Sequence, residues 1–307
     1  MRISTAQMFE KAVTQMTAQQ AEVADLQAKL GTGKKLVKPS DDADQSALIQ
    51  RMRSAIERQQ VYQNTLQRIN DRLGAEETAL LSGEKLLQRI RELAVRATNG
   101  TLTASDRQII AQEVTGLQDE FLALANTRDH SGNYLFSGSM VTTPAFAADS
   151  TGSITYDGDD NFISLNVSEQ RNLVINRPGD KVFSSVLRTQ SGEADQRVGF
   201  FAVLDDFVGA LQTDDTGGIE RAIAEISQLS ESLAMGLADV GSRMEVVASQ
   251  TAVLEDTELR YQMLLSDAED LDYASAVTKL SSEIMSLEAV QSSLVKISQL
   301  SLFNFLR

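Results

Sequence analysis

A seven-residue alternation kept up over fifty positions constrains this chain more than anything else in it. From Leu48 through Met52, Ala55, Tyr62, Leu66, Ile69, Leu73, Leu80, Leu87 and Ile90 to Ala97, seam residues return at gaps of three and four, with Gln59, Glu76 and Gly83 interrupting. Such a repeat keeps one stripe of a helix turned toward a partner and is the mark of a coiled-coil seam. The spacing predicts a single helix of roughly 75 Å at about 1.5 Å per residue. A rod that long needs a second rod to cover it. Ile219, Ile223, Ile226, Leu233, Leu237, Val240, Met244, Val247, Leu254, Tyr261 and Leu265 supply one, broken at Ser230, Thr251 and Glu258. The two seams are expected to pair antiparallel within the chain, with Leu66, Ile69 and Leu73 packed between Leu233 and Tyr261. That arrangement brings the chain ends together.

Shorter helices flank the rods. Residues 4–30 carry a thin stripe of Phe9, Val13, Met16, Val23, Leu26 and Leu30, ended by Gly31 and Gly33. A polar turn follows, in which Ser40 or Asp41 is expected to cap the first rod. Asn99-Gly100 stops that rod. Ser105 and Gln108 then fit a capping box opening a third helix through Ile110, Val114, Leu117, Phe121 and Leu124. Helices resume near Arg197, and the acidic run Asp267–Asp272 separates the second rod from a last helix. There Val277, Leu280, Ile284, Leu287, Val290, Leu294, Ile297 and Leu300 form the stripe, closed by Leu302-Phe303-Asn304-Phe305-Leu306. An apolar chain end of this kind is built to be covered.

Between the rods the texture changes at Gly132 to Gly, Ser, Thr and β-branched residues. Ser153–Tyr156 and Phe162–Val167 flank Asp157-Gly158-Asp159-Asp160-Asn161 and read as a hairpin, with Leu173-Val174-Ile175 as a third strand. The fold class is mainly α with a small β insertion on a long antiparallel helical hairpin. The segments expected are an N-terminal helix and turn at 1–40, a helical core at 41–131 and 197–266, a β domain at 132–196, and a C-terminal helix at 267–307. The β domain is expected to be dispensable for folding of the core.

With 43 acidic against 28 basic side chains the formal charge is −15, which argues against nucleic acid or a membrane surface as partner. There is no cysteine, so disulfides and thiol chemistry are excluded. No run approaches the ~20 apolar residues of a membrane span. Met1–Met8 has no apolar run behind its single Arg2, so no cleavable secretory signal is expected.

Motifs for chemistry fail on inspection. Gly31-Thr32-Gly33-Lys34-Lys35 has Ala28 and Lys35 where a phosphate-binding loop needs Gly and a hydroxyl residue. Asp157, Asp159 and Asn161 begin like a calcium loop, but Phe162 replaces its glycine and Ser168 its closing glutamate. His130, the only histidine, has no nucleophile signature near it and suits a helix end. No enzyme, cofactor or metal site is expected.

Several of these stretches resemble one family. Met1-Arg2-Ile3-Ser4-Thr5, Gly31 to Asp42, Arg91-Glu92-Leu93-Ala94-Val95-Arg96-Ala97-Thr98-Asn99-Gly100-Thr101-Leu102, Tyr134-Leu135-Phe136-Ser137-Gly138 and Ser301–Leu306 are similar to the bacterial flagellar hook–filament junction proteins, hook-associated protein 3. Flagellins share the two-ended helical plan and the Arg-Glu-Leu-Ala-Val run but differ in the opening, in the Tyr-Leu-Phe-Ser-Gly segment and at the close. The resemblance covers about residues 1–140 and 235–307.

It implies a flagellin-like fold and a structural subunit secreted through the flagellar type III exporter to the extracellular flagellum. The implied partners are neighbouring copies in a ring or helical layer, another hook-associated protein on the hook side and flagellin on the filament side. A cytoplasmic export chaperone would guard the C-terminal segment. The implied self-assembly residues are Phe9, Val13, Met16, Val23, Leu280, Ile284, Leu287, Leu294, Ile297, Leu300, Phe303, Phe305 and Leu306. A filament flagellin is the alternative within the class. From another class, a cytoplasmic coiled-coil signalling or scaffold protein would share the acidity and heptads, but would need neither a β insertion nor an apolar end. Because each stripe is thin, both ends are expected to lack stable order until neighbouring subunits enclose them.

Overall fold

The structure, a computed structural model, describes residues 2–149, 152–188 and 195–305, and the side chains of 7–149, 152–188 and 195–296. In chain order the elements are α1 (Arg2–Thr32), α2 (Ala43–Ala97), α3 (Ala104–Ala125), β1 (Phe146–Ala148), β2 (Ile154–Tyr156), β3 (Ser164–Asn166), β4 (Asn172–Val174), the single turn α4 (Gly179–Val182), β5 (Val186–Arg188), β6 (Gln196–Val198), α5 (Phe200–Thr213), α6 (Thr216–Glu269) and α7 (Tyr273–Phe305). The first rod, α2, is one helix of 55 residues and the second, α6, one of 54. The chain divides into two compact units, residues 60–255 and a terminal unit of residues 1–59 with 256–307.

Residues 60–255 hold the core. The seams pair antiparallel: a methyl placed on Gly83 would meet Leu233 at 3.5 Å, one on Gly236 would meet Leu80 at 3.5 Å, and Arg243 reaches Glu76. Rising position in α2 therefore matches falling position in α6. Leu66, Ile69, Leu73, Leu80, Leu87 and Ile90 join Leu233, Val240, Val247 and Leu254 in one buried cluster. The repeat was sufficient to foresee this because a 3.5-residue period leaves a long helix only one apolar stripe to cover.

The capping residues differ from those the sequence suggests. At α2 the carboxylate of Asp42 accepts from Gln45 N at 2.9 Å, while Asp41 turns back to accept from Lys38 N. At α3 the box is Thr103 with Asp106, two residues before Ser105 and Gln108; Asp106 N donates to Thr103 Oγ1 and Thr103 N to Asp106 Oδ2. Asp is short, but its carboxylate closes the box as Glu or Gln would.

The β region departs furthest from expectation. Ile154–Tyr156 pairs backward with Phe146–Ala148, and Ser164–Asn166 pairs forward with Asn172–Val174, so the hairpin across Asp157–Asn161 does not form. A third pair joins Val186–Arg188 to Gln196–Val198, where the helix was expected to begin; α5 starts only at Phe200. Each pair is three residues long. What orders this segment is its packing on the helices. Phe136, Phe146 and Phe183 interlock with Phe121 of α3 and Phe200 and Phe201 of α5, with ring centroids 4.9 to 6.0 Å apart. Val167, Val182 and Val186 belong to the same core. Its residues fill the core between α3, α5 and α6, which weighs against the expectation that the core folds without this segment.

Candidate assembly interface

In the terminal unit α1 and α7 pack against each other as an antiparallel pair. Gln19 Nε2 donates to Ser286 Oγ at 2.6 Å and Lys279 Nζ meets Glu22 at 2.7 Å, so the register runs in opposite directions along the two helices. The bond to Glu22 raises the Lys279 pKa above its ordinary value.

The pair covers little. Apart from residues of 60–255, the buried apolar side chains described are Leu26, Ile49, Ala55, Ala268 and Ala276. Of the expected interface residues, Val13, Met16, Val23, Leu280, Leu287 and Leu294 are half-buried, whereas Phe9 and Ile284 are exposed. The side chains of Ile297, Leu300, Phe303 and Phe305, and all of Leu306, lie outside the described residues.

Helix α7 thus has two apolar sides. Ala276, Leu280, Leu287, Val290 and Leu294 are at least half-covered, while Tyr273, Val277, Ile284, Met285 and Val295 stand in solvent. Five large apolar side chains thus stand exposed along the described part of α7. Tyr273, Val277, Met285 and Val295 were absent from the expected interface: a stripe read at gaps of three and four finds the wetter side only where it crosses the first. Both ends are helical in the structure. The lack of order expected of them before neighbours enclose them is not what the single chain shows, where α1 and α7 are packed on each other.

At the base of the pair two turns lock together. The last carbonyls of α6 lack partners within their own helix. Lys35 Nζ donates to Asp267 O at 2.5 Å, Gln45 Nε2 to Ala268 O at 3.1 Å and Lys35 N to Glu269 O at 2.8 Å. In return Leu271 N donates to Gly33 O at 2.9 Å. Gly33 is at φ +73°, and a side chain there would strike the Tyr273 hydroxyl at 2.8 Å. The Glu269 carboxylate, 10% exposed, bonds both Lys34 and Arg53, the latter at 2.5 Å. Lys34 above all, and then Arg53, hold its pKa below the ordinary carboxylate value against the opposing effect of burial. The sequence displayed both halves of this clasp, as a basic turn and an acidic run, but nothing in a linear reading joins positions 232 residues apart.

The motifs considered for chemistry have other roles. Lys34 serves the clasp. Asp159 accepts from Ser139 and Asn161, which hold its pKa down at about 2. Among the described residues no group of three or more His, Cys, Asp or Glu side chains is arranged to hold a metal. His130 is exposed in the turn beyond α3, past the helix end that it was expected to occupy. No described helix is long and apolar enough to cross a membrane.

Residues 3–141 match the bacterial flagellin N-terminal helical region. Over 99% of its length the chain is 30% identical to the flagellar hook-associated protein 3 of Escherichia coli, of which it covers 99%. A flagellin of Clostridium tyrobutyricum is 31% identical, but over 44% of this chain and 36% of the flagellin. The crystal structure of flagellar hook-associated protein-3 from Legionella pneumophila has the same fold, with a TM-score of 0.64 at 18% identity over 71% of this chain and 98% of that one. Match along the whole length, a helical hairpin carrying both chain ends, and an apolar terminal pair agree: this chain belongs to the flagellar hook-associated protein 3 family.

Proposed function

We propose that this protein is a structural subunit of the extracellular bacterial flagellum at the hook–filament junction, joining another hook-associated protein to the first flagellins. The observation that carries the reading is the exposed apolar side of α7 beside a thinly buried α1–α7 pair, in a chain whose family match runs end to end. A surface that stays wet in the single chain gains its coverage when copies stack, and the hydrophobic contribution of each covered side chain is about 2 kcal/mol. Neighbouring copies and flagellin are the partners at this surface. Before assembly a chaperone covers the same apolar end until export. The α1–α7 pair reaches full stability only inside the assembly. A filament flagellin is the weaker reading, since flagellin likeness stops at less than half of the chain.

Cells lacking this protein should keep their hooks and release unpolymerised flagellin into the medium. Normal filaments in such cells would refute the junction role. Strong hydrogen-exchange protection of residues 277–296 in dilute monomer would refute the dependence of the pair on its neighbours.

A further inference from the structure

The clasp at Glu269 is more elaborate than a chain reversal requires. A helix can end on a single glycine and water. Here two of the three last carbonyls of α6 are taken by Lys35 of the α1–α2 turn and the third by Gln45 in the first turn of α2, and a nearly buried carboxylate gathers one cation from the α1–α2 turn and one from farther along α2. Lys34 and Arg53 are 45% and 43% exposed, so neither is fixed by its own burial; the carboxylate fixes them. Lys34 and Asp270 also form an antiparallel bridge, and on either side of it the chain leaves directly into α1 and α7. Any change in the clasp therefore alters where both helices begin, while the apolar stripes that meet neighbours lie farther along them.

We propose that Glu269 is a positioning residue for assembly: by holding Lys34 and Arg53 together it fixes the α1–α2 turn on the end of α6 and so sets the direction in which α1 and α7 leave the clasp. This rests on the assembly role proposed above for the same helices. Glu269 meets no neighbouring subunit in this scheme. It acts through the turn, and a carboxylate shared by two cations is the right group because its charge-assisted bonds are short and directional.

The test combines three variants in flagellated cells with hydrogen exchange on the purified full chain. Glu269→Gln removes the charge while keeping the size. It should lower exchange protection of the Lys35 and Leu271 amides at least tenfold, and filaments per cell by a similar factor, with melting of residues 60–255 unchanged. The inverted triple variant, Lys34→Glu with Arg53→Glu and Glu269→Lys, should restore both protection and filaments. Met285→Asp, on the exposed side of α7 and away from the clasp, should abolish filaments with normal protection at Lys35 and Leu271. Wild-type filaments with Glu269→Gln would overturn the inference, as would lost filaments with protection retained, or failure of the inverted triple to restore either. Wild-type filaments with Met285→Asp would instead overturn the assembly role of α7.

Discussion

Two buried glutamates, one in each unit, are held in opposite ways. Glu76, in residues 60–255, is 1% exposed and packed among the seam residues, and burial raises its pKa despite Arg243 and Arg72 nearby. Glu269, in the terminal unit, is drawn the other way by Lys34 and Arg53. The first carboxylate weakens at neutral pH the core that it occupies; the second strengthens the contact that it makes. The contrast extends to whole regions. Residues 60–255 are held by close-packed rings and branched chains, and tolerate a poorly paired charge. The terminal unit buries five apolar side chains among those described and relies on hydrogen bonds and charge at its turns. A region held by packing is complete by itself. One held by polar fastening with its apolar side exposed is prepared for something else.

The contrast breaks most visibly if the β segment is removed. Replacing residues 140–190 with a Gly-Ser linker deletes Phe146, Val167, Val182, Phe183 and Val186 from the core, at about 2 kcal/mol each some 10 kcal/mol, comparable to the whole stability of a domain. The variant should lose its cooperative melting transition. A soluble protein with the parent's melting curve would show that the core closes without these side chains.

Next in size is Ile69→Asp, which sets an unpaired carboxylate at a position 1% exposed. It should cost about 4 kcal/mol by denaturant titration. The same change at Ile284 in α7, 37% exposed, should alter stability by no more than about 0.5 kcal/mol while preventing filament growth. Equal losses from the two would erase the distinction between the units.

The smallest effects separate the glutamates by pH. With its folded pKa raised, Glu76 favours the folded state below the unfolded value of about 4.5, and this is lost as pH rises through the folded value. Glu76→Gln should therefore melt above the parent at pH 7, with the gap closing as pH falls toward 4.5. Glu269 has a lowered folded pKa, so its contribution is present above about 4.5 and lost as pH falls through the folded value. Protection of the Lys35 and Leu271 amides should persist at pH 7 and fail below pH 4.5. Parallel pH profiles for the two sites would mean that both carboxylates answer to the same cause.

Local pattern carried a reader a long way here. The two rods, their antiparallel pairing and the stripes of α1 and α7 are all written in gaps of three and four, because a helix places such neighbours on one side. The strand pairs were missed for a physical reason. Three-residue strands such as Ile154–Tyr156 carry too little alternation to choose a partner, and the choice is made by Phe146 and Tyr156 entering the aromatic cluster. The clasp was missed for another, since Lys35 is a polar residue in a turn and its partner is a backbone carbonyl at the end of α6, a pairing that no side-chain pattern announces.

These pairings have a kinetic side. Gln19 and Ser286 are 267 positions apart, Glu22 and Lys279 are 257, and Lys35 and Asp267 are 232. Contacts so distant along the chain close slowly, because a loop of that length must lose its freedom first. Residues 60–255 include nearer contacts, such as those between α3 and α5, which can close first. The α1–α7 pair has no such head start, and its register is the last part of the fold to be set.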